Sequence, residues 1–281
     1  MRPAAQEVAM VQSHLSREGR TAGGSYLVST TKSVGFDDGP SVAYWSLTLY
    51  PTAGEAGGSV QYSGRRLRRP GEPSEFEPDR EHSANEAVRR ARGKMRRYGT
   101  ANGLNRLGTL TYRGEGCHDP VEFRRDIGVF FRDLREGLGG ERFPYMWVPE
   151  WHPGGHGLHA HFVVGRFVRR SLIEQAWGRG FVHIKLLTDL PVGSGRFEES
   201  RRAARYVAKY VSKELDAERL AGLHRYDVGR GFAPQQVRLE ELRWEWALER
   251  ASEVMGGSPG YVWHSDSEED WAGPPAVWAS W

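Results

Sequence analysis

From residue 106 to residue 215 the apolar positions switch repeatedly between a period of two and a period near 3.6, the signatures of strand and helix. "RLGTLTY" (106–112), "YMWVPEW" (145–151), "GLHAHFVVG" (157–165) and "GFVHIKLL" (180–187) read as strands, the second and third joined by the turn "HPGGHG" into a hairpin. Within the third, Leu158, Ala160, Phe162 and Val164 share one face, and His159, His161 and Val163 share the other. "DPVEFRRDIGVFFRDLREGL" opens with Asp119 as a cap and Pro120 at the first helical position, and its Phe123, Ile127, Phe130, Phe131 and Leu134 recur at helical spacing. Ser171 and Glu174 resemble a capping box for a short helix ending at Trp177, and a further helix is expected from Glu198 to Leu215.

Outside this stretch the pattern is weaker. Residues 1–24 are polar and expected to be disordered; "YLVSTTKSV" and "SVAYWSLTLY" flank the turn-rich "GFDDGP" as a hairpin; and Pro51 to Pro78, rich in Gly, Pro, Ser and Arg, reads as a loop. A basic helix is expected from Ser83 to Tyr98, one helix over 237–254, and a Trp-rich acidic tail after it. The expected organisation is therefore a disordered 1–24, a hairpin and loop over 25–78, a main domain over 79–216 and a C-terminal helix with tail over 217–281. Strands so few and so hairpin-linked do not suit a doubly wound sheet; they predict an antiparallel sheet covered by helices, of the α+β class.

Charge changes the picture only locally. The chain carries a formal +3, yet residues 61–106 hold twelve Arg/Lys against six Asp/Glu, while 245–281 hold one Arg against seven acids. A basic front and an acidic tail fit a protein that meets polyanions on one surface, and a solvated helix surface explains the same charges equally well. The single cysteine, Cys117, excludes an internal disulfide framework and a cysteine-rich zinc site. No run of eighteen apolar residues exists and the first twenty residues contain no signal-like apolar core, so no membrane partner and a cytoplasmic location are expected. Of 39 basic residues only five are lysine, and two of these, Lys209 and Lys213, fall within five positions of each other.

Two groups of residues carry chemistry. Folding the hairpin about Gly154 and Gly155 brings Glu150 opposite His159, where facing Cβ atoms lie about 5 Å apart. Two imidazoles and a carboxylate make half a coordination sphere with open positions, which suits a catalytic divalent cation; the thiolate-free set favours Mn²⁺ or Mg²⁺, with zinc still compatible by ligand type. His152 and His156 lie in the turn and rank below the strand pair because a turn fixes no facing. On the second helix, Tyr206, Lys209, Tyr210 and Lys213 fall at i, i+3, i+4 and i+7 and form one stripe, with Ala204, Val207, Ala208, Val211 and Leu215 on another. A phenol ionises near pH 10, so an attacking tyrosine needs neighbouring cations, and the two lysines are spaced to supply them.

Together, "TLTY" (109–112), "HAHFVV" (159–164) and "YVAKYVSK" (206–213) resemble, in order, the motifs of the HUH endonucleases, in particular the rolling-circle replication initiators of bacterial plasmids and small phages. The paired tyrosines, each followed three residues later by lysine, look like the two-tyrosine initiators, and "VPEWHPGGHGLHAHFVVG" looks like the arginine-rich plasmid initiators of actinobacteria. The resemblance implies a ferredoxin-like antiparallel sheet, a divalent ion on Glu150, His159 and His161, and Tyr206 and Tyr210 as nucleophiles, with Tyr210 making the first cut. It further implies nicking of single-stranded origin DNA, leaving a 5′-phosphotyrosine and a 3′-OH that primes synthesis. Thr111 of "TLTY" joins the expected DNA contacts, with Arg89, Arg90, Arg92, Lys94, Arg96 and Arg97 of the basic helix, which are expected to meet duplex origin DNA. No GxxxxGK[ST] loop occurs, so unwinding falls to a host helicase and extension to a host polymerase. Two other readings remain open at this point: a non-catalytic origin or regulatory DNA-binding protein, and a metal-dependent nuclease that uses water.

Overall fold

The computed structural model describes residues 42–63, 80–186, 197–213, 224, 226–269, 271 and 273–281, with the backbone alone for 80–82 and 209–213. Five helices and ten strands lie among them, and the strands form two five-stranded antiparallel sheets. The α+β class and the antiparallel sheet agree with the sequence pattern. The expected disorder of 1–24, the first strand of the N-terminal hairpin and the Arg-rich 65–69 lie outside the described residues.

The larger functional unit is the run β3 (Arg106–Tyr112), α2 (Pro120–Gly137), β4 (Tyr145–Trp151), β5 (Leu158–Val164), α3 (Arg170–Trp177) and β6 (Gly180–Leu186). This βαββαβ order, with strands arranged β6-β3-β5-β4 and a two-residue β7 (Asp227–Val228) added beyond β4, is the ferredoxin-like arrangement. Helix α2 forms where its sequence says it should. The Asp119 carboxylate accepts the Val121 N–H at 2.8 Å, Pro120 occupies the first turn, and the five expected apolar residues are all buried. They meet Leu110, Trp147, Ala160, Phe162 and Val164 on one face of the sheet, where each buried side chain contributes about 1.5–3 kcal/mol. Gly108 makes this possible, because a Cβ there would stand 2.2 Å from the Phe162 ring.

The opposite face is also covered, where an open chemical face was expected. Helix α1 (Arg80–Ala101) and α4 (Glu198–Lys213) bring Ala91, Met95, Tyr98, Ala203, Ala204, Val207 and Ala208 against Leu107, Met146, Val148 and Val163. The apolar stripe read from the α4 sequence is therefore the one that docks.

The second sheet corrects three expectations. Residues 51–78 are not all loop, because β2 (Glu55–Tyr62) pairs along its whole length with β1 (Ala43–Tyr50). Its Gly57 and Gly58 weaken the strand signal, yet a Cβ at 58 would fall 1.9 Å from the Ser46 carbonyl oxygen. The expected helix over 237–254 is a strand β8 (Val237–Glu241) followed by α5 (Trp244–Met255); Leu239 faces Leu47 across the ladder, a long-range pairing that overrides a local helical pattern. The Trp-rich tail supplies β9 (Tyr261–His264) and β10 (Ala276–Ser280), giving the order β8-β1-β2-β10-β9. A fourth correction concerns α3, whose cap is Arg169 without a side-chain bond, while Glu174 pairs with Arg170 at 2.8 Å instead of closing a box with Ser171.

The two sheets are joined through Glu55, which is 1% exposed. Arg96 donates to it at 2.7 and 3.1 Å and Arg97 at 3.2 Å, while their guanidinium groups also lie over Trp278 (5.1 Å) and Tyr50 (4.6 Å). Arg201 of α4 adds bonds to the carbonyls of Ala53 (3.2 Å) and Gly54 (2.7 Å).

Candidate active site

The β4–β5 hairpin sets the site. Its turn passes through Gly155 (φ +80°) and Gly157 (φ +71°), conformations that favour glycine, and a Cβ at 157 would meet the Cys117 carbonyl oxygen at 2.2 Å. With that turn fixed, Glu150 lies opposite His159 in the ladder, and Val148 and Thr109 flank His161. The pairing of Glu150 with His159 is the one expected from the sequence.

The side chains converge. The Nε2 of His161 lies 2.6 Å from a Glu150 carboxylate oxygen and that of His159 lies 3.7 Å from the same oxygen. One ligand atom from each of the three residues falls within 4.8 Å of the others, and all three residues are buried. Thr109 Oγ1 stands 3.1 Å from Nδ1 of His161, so both ring nitrogens have a partner. If Nδ1 carries the proton and donates to Thr109, the Nε2 lone pair is presented toward Glu150, as a metal-ligating tautomer requires. Thr109 is a residue that sequence reasoning missed: "TLTY" drew attention to Thr111, whose carbonyl accepts the Trp177 indole N–H at 3.1 Å. Only the β3–β5 register distinguishes the two threonines.

His159 differs from His161. Its Nε2 is buried with no hydrogen-bond partner. Burial, helped by the neighbouring His161 and His152 and opposed by Glu150, lowers its pKa to about 4, so the ring is neutral at pH 7. A neutral imidazole with an orphaned nitrogen beside a carboxylate and a second imidazole is a donor set that fits a divalent cation. His152 and His156 remain in the turn; the His152 ring lies 5.0 Å from that of His159, but its Nδ1 already accepts the Gly154 N–H at 2.9 Å, and His156 is exposed.

Helix α4 lies on the same sheet face, since Val207 and Ala208 pack in one cluster with Val163 and Val148, which alternate with the site residues along β5 and β4. Tyr206 packs half-buried at the edge of that cluster, with Lys185 Nζ of β6 5.7 Å from its ring centre. Tyr210 follows one turn later; Lys209, Tyr210 and Lys213 are placed on the helix by backbone alone. The basic helix α1 divides. Arg96 and Arg97 are engaged at Glu55, Arg89 and Arg90 bond Glu86 and Arg89 also lies over Trp271, while Arg92 and Lys94 are exposed.

Residues 105–215 match the model of the replication-associated protein ORF2 family. The matched segment begins beside β3 and runs past the end of α4, so it spans Glu150, both histidines and the tyrosine helix. The match supports a replication initiator. No curated protein and no solved structure matches the chain. Among the described residues no helix is long and apolar enough to cross a membrane.

Proposed function

We propose that this protein is a nicking and joining enzyme of the HUH two-tyrosine type, acting on single-stranded origin DNA of a rolling-circle replicon. The observation that carries the reading is the orphaned Nε2 of His159, held beside Glu150 and His161 on the sheet face where α4 docks. A divalent cation, Mn²⁺ or Mg²⁺, held by Glu150, His159 and His161 would polarise a non-bridging oxygen of the scissile phosphate. Thr109 fixes the His161 ring, and the low basicity of His159 keeps it from being blocked by a proton at neutral pH.

Tyr210, and Tyr206 in a second cut, are the nucleophiles. The phenolic Oη forms a bond to phosphorus as the P–O3′ bond breaks; the phenol gives up its proton and the departing 3′-oxygen takes one. The products are a 5′-phosphotyrosine and a 3′-OH, and the reverse attack rejoins the ends without ATP because the phosphodiester bond energy is retained. Lys185, with Lys209 and Lys213, supplies positive charge for the phenolate and the phosphate. Thr111 and the exposed Arg92 and Lys94 contact DNA, a host helicase opens the duplex and a host polymerase extends the 3′-OH.

Incubating the protein with Mn²⁺ and end-labelled single-stranded fragments of its own replicon, then resolving the products on a denaturing gel, tests this. The expected result is a label-bearing protein adduct that Tyr210→Phe removes from the first cleavage. Cleavage without an adduct indicates a hydrolase using water, and binding without cleavage indicates a non-catalytic DNA-binding protein.

A further inference from the structure

A second concave site lies away from the triad. It is a cleft of about 310 Å³ formed by Arg132 and Arg135 of α2, Arg142 in the segment before β4, Tyr145 at the start of β4, and Asp227 and Arg230 around β7. Four guanidinium groups thus face one carboxylate. Among the described residues none of the four has a carboxylate partner, and Asp227 is turned to its neighbour, accepting the Val228 N–H at 2.8 Å. Unpaired arginines converging on a recess are costly through mutual repulsion unless an anion joins them.

The cleft is also held in shape. The Gly229 N–H bonds the Tyr145 carbonyl at 2.8 Å, Tyr98 Oη donates to the Gly229 carbonyl at 2.8 Å, Asn102 donates to the Phe232 carbonyl at 2.9 Å, and Arg142 donates to the Arg230 carbonyl at 2.6 Å. The Tyr145 ring stacks on Phe131 at 3.7 Å and stiffens the floor. A mobile surface loop would need none of these bonds.

We infer that this cleft binds a backbone phosphate of the same single-stranded DNA that the triad cuts, a reading that rests on the proposed nicking function. The geometry favours a single strand over a duplex. Tyr145 and Glu150 lie five residues apart on β4, so about 17 Å separates them along the strand, and they point to opposite faces. Met146 and Val148 pack with α4 on the triad's face, whereas Trp147 packs with α2 on the other. A chain passing from triad to cleft must turn around the sheet edge within that distance, which a flexible strand can do and a duplex, with a persistence length of about 50 nm, cannot. The arginines would then act as an anchor that holds the strand after it leaves the cutting site.

The test uses Arg132→Gln combined with Arg230→Gln, both exposed side chains without ion-pair partners among the described residues, so folding is retained. Binding of a single-stranded oligonucleotide of about 30 residues and of one of about 8, confined to the nick site, is measured against salt concentration. For the longer strand the double variant is expected to lower the slope of log K against log salt by about 1.4, roughly 0.7 for each lost phosphate contact. For the short strand, binding and metal-dependent adduct formation are expected to match the parent protein. An unchanged slope on the longer strand overturns the inference. So does variant-sensitive binding of AMP or inorganic phosphate with long-strand binding unaffected, which would make the cleft a free-nucleotide site. If the slope falls but no adduct forms with any substrate, the cleft assignment stands and the nicking function fails.

Discussion

The two sheets of this protein are built on opposite plans. The sheet β6-β3-β5-β4-β7 is buried on both faces, draws its strands mainly from one continuous segment, and places polar groups in its interior at Glu150, His159 and His161. The sheet β8-β1-β2-β10-β9 draws two strands from residues 43–62 and three from 237–280, and packs α5 through the small residues Ala247 and Ala251. Its one buried carboxylate, Glu55, is fully engaged by Arg96 and Arg97. The buried charge of the second sheet is thus satisfied internally and holds the molecule together. Its unpartnered ring nitrogens, Nε2 of His264 and Nε1 of Trp278, belong to rings packed among other aromatics, with no cluster of ligand atoms beside them among the described residues. In the triad the unsatisfied nitrogen stands next to a carboxylate and a second imidazole. An unpaired buried polar atom costs about 1–3 kcal/mol, and a fold retains such a cost among ligand atoms where a bound ion offsets it.

The largest expected effect breaks the comparison at the triad. Replacing His161 or Glu150 with alanine is expected to abolish metal-dependent cleavage and adduct formation on a denaturing gel, with single-stranded DNA binding retained. If either variant still forms adduct at the parent rate, the triad is not the metal centre. At the joint, Glu55→Gln leaves two guanidinium groups with a neutral partner. Because those groups are partly solvated, the expected loss is about 1–3 kcal/mol, below the figure for a fully enclosed pair. Amide hydrogen exchange should accelerate in β1, β2 and β10 before it does in β3, β4 and β5; equal acceleration in both sheets would show that they unfold as one unit.

Much of this contrast was readable in the sequence for one sheet and unreadable for the other, for physical reasons. The β4–β5 hairpin carries period-two apolar positions around a glycine turn, so register and the Glu150–His159 pairing follow locally. Helix α2 announces itself through Asp119, Pro120 and five apolar residues. The other sheet pairs residues roughly two hundred positions apart, such as Leu47 with Leu239, and its β2 contains glycines that only close packing against β1 explains. No local pattern encodes such a contact. The same limit hid the role of Arg96 and Arg97, which read as a DNA-facing stripe because their carboxylate partner lies 41 and 42 residues away. Thr109 was hidden differently, since its sequence neighbour Thr111 is chemically identical and only the cross-strand register separates them.

A smaller effect sharpens the comparison by separating stability from function within one residue. His159→Leu removes the orphaned nitrogen and keeps the volume, so the metal-free variant is expected to be more stable than the parent by about 1 kcal/mol. The same change removes a metal ligand and should end cleavage. Chemical denaturation in EDTA measures the first, and the adduct gel the second. A variant that is less stable without metal would mean that the ring is valued for packing in the apo protein.

The smallest effect concerns Thr109, which touches the triad without belonging to it. Thr109→Val keeps shape and burial but removes the hydroxyl partner of His161 Nδ1, 3.1 Å away. The imidazole then loses the bond that selects its tautomer, and metal affinity is expected to fall about 10–100-fold, the usual consequence of losing such a supporting contact. Cleavage at saturating Mn²⁺ should recover most of the parent rate, because the ligands themselves are intact. Titrating Mn²⁺ against adduct yield distinguishes the cases. A shifted midpoint with a recovered plateau assigns Thr109 to ring orientation. An unshifted midpoint would show that the β4–β5 hairpin alone, without help from β3, holds the imidazole in its ligating pose.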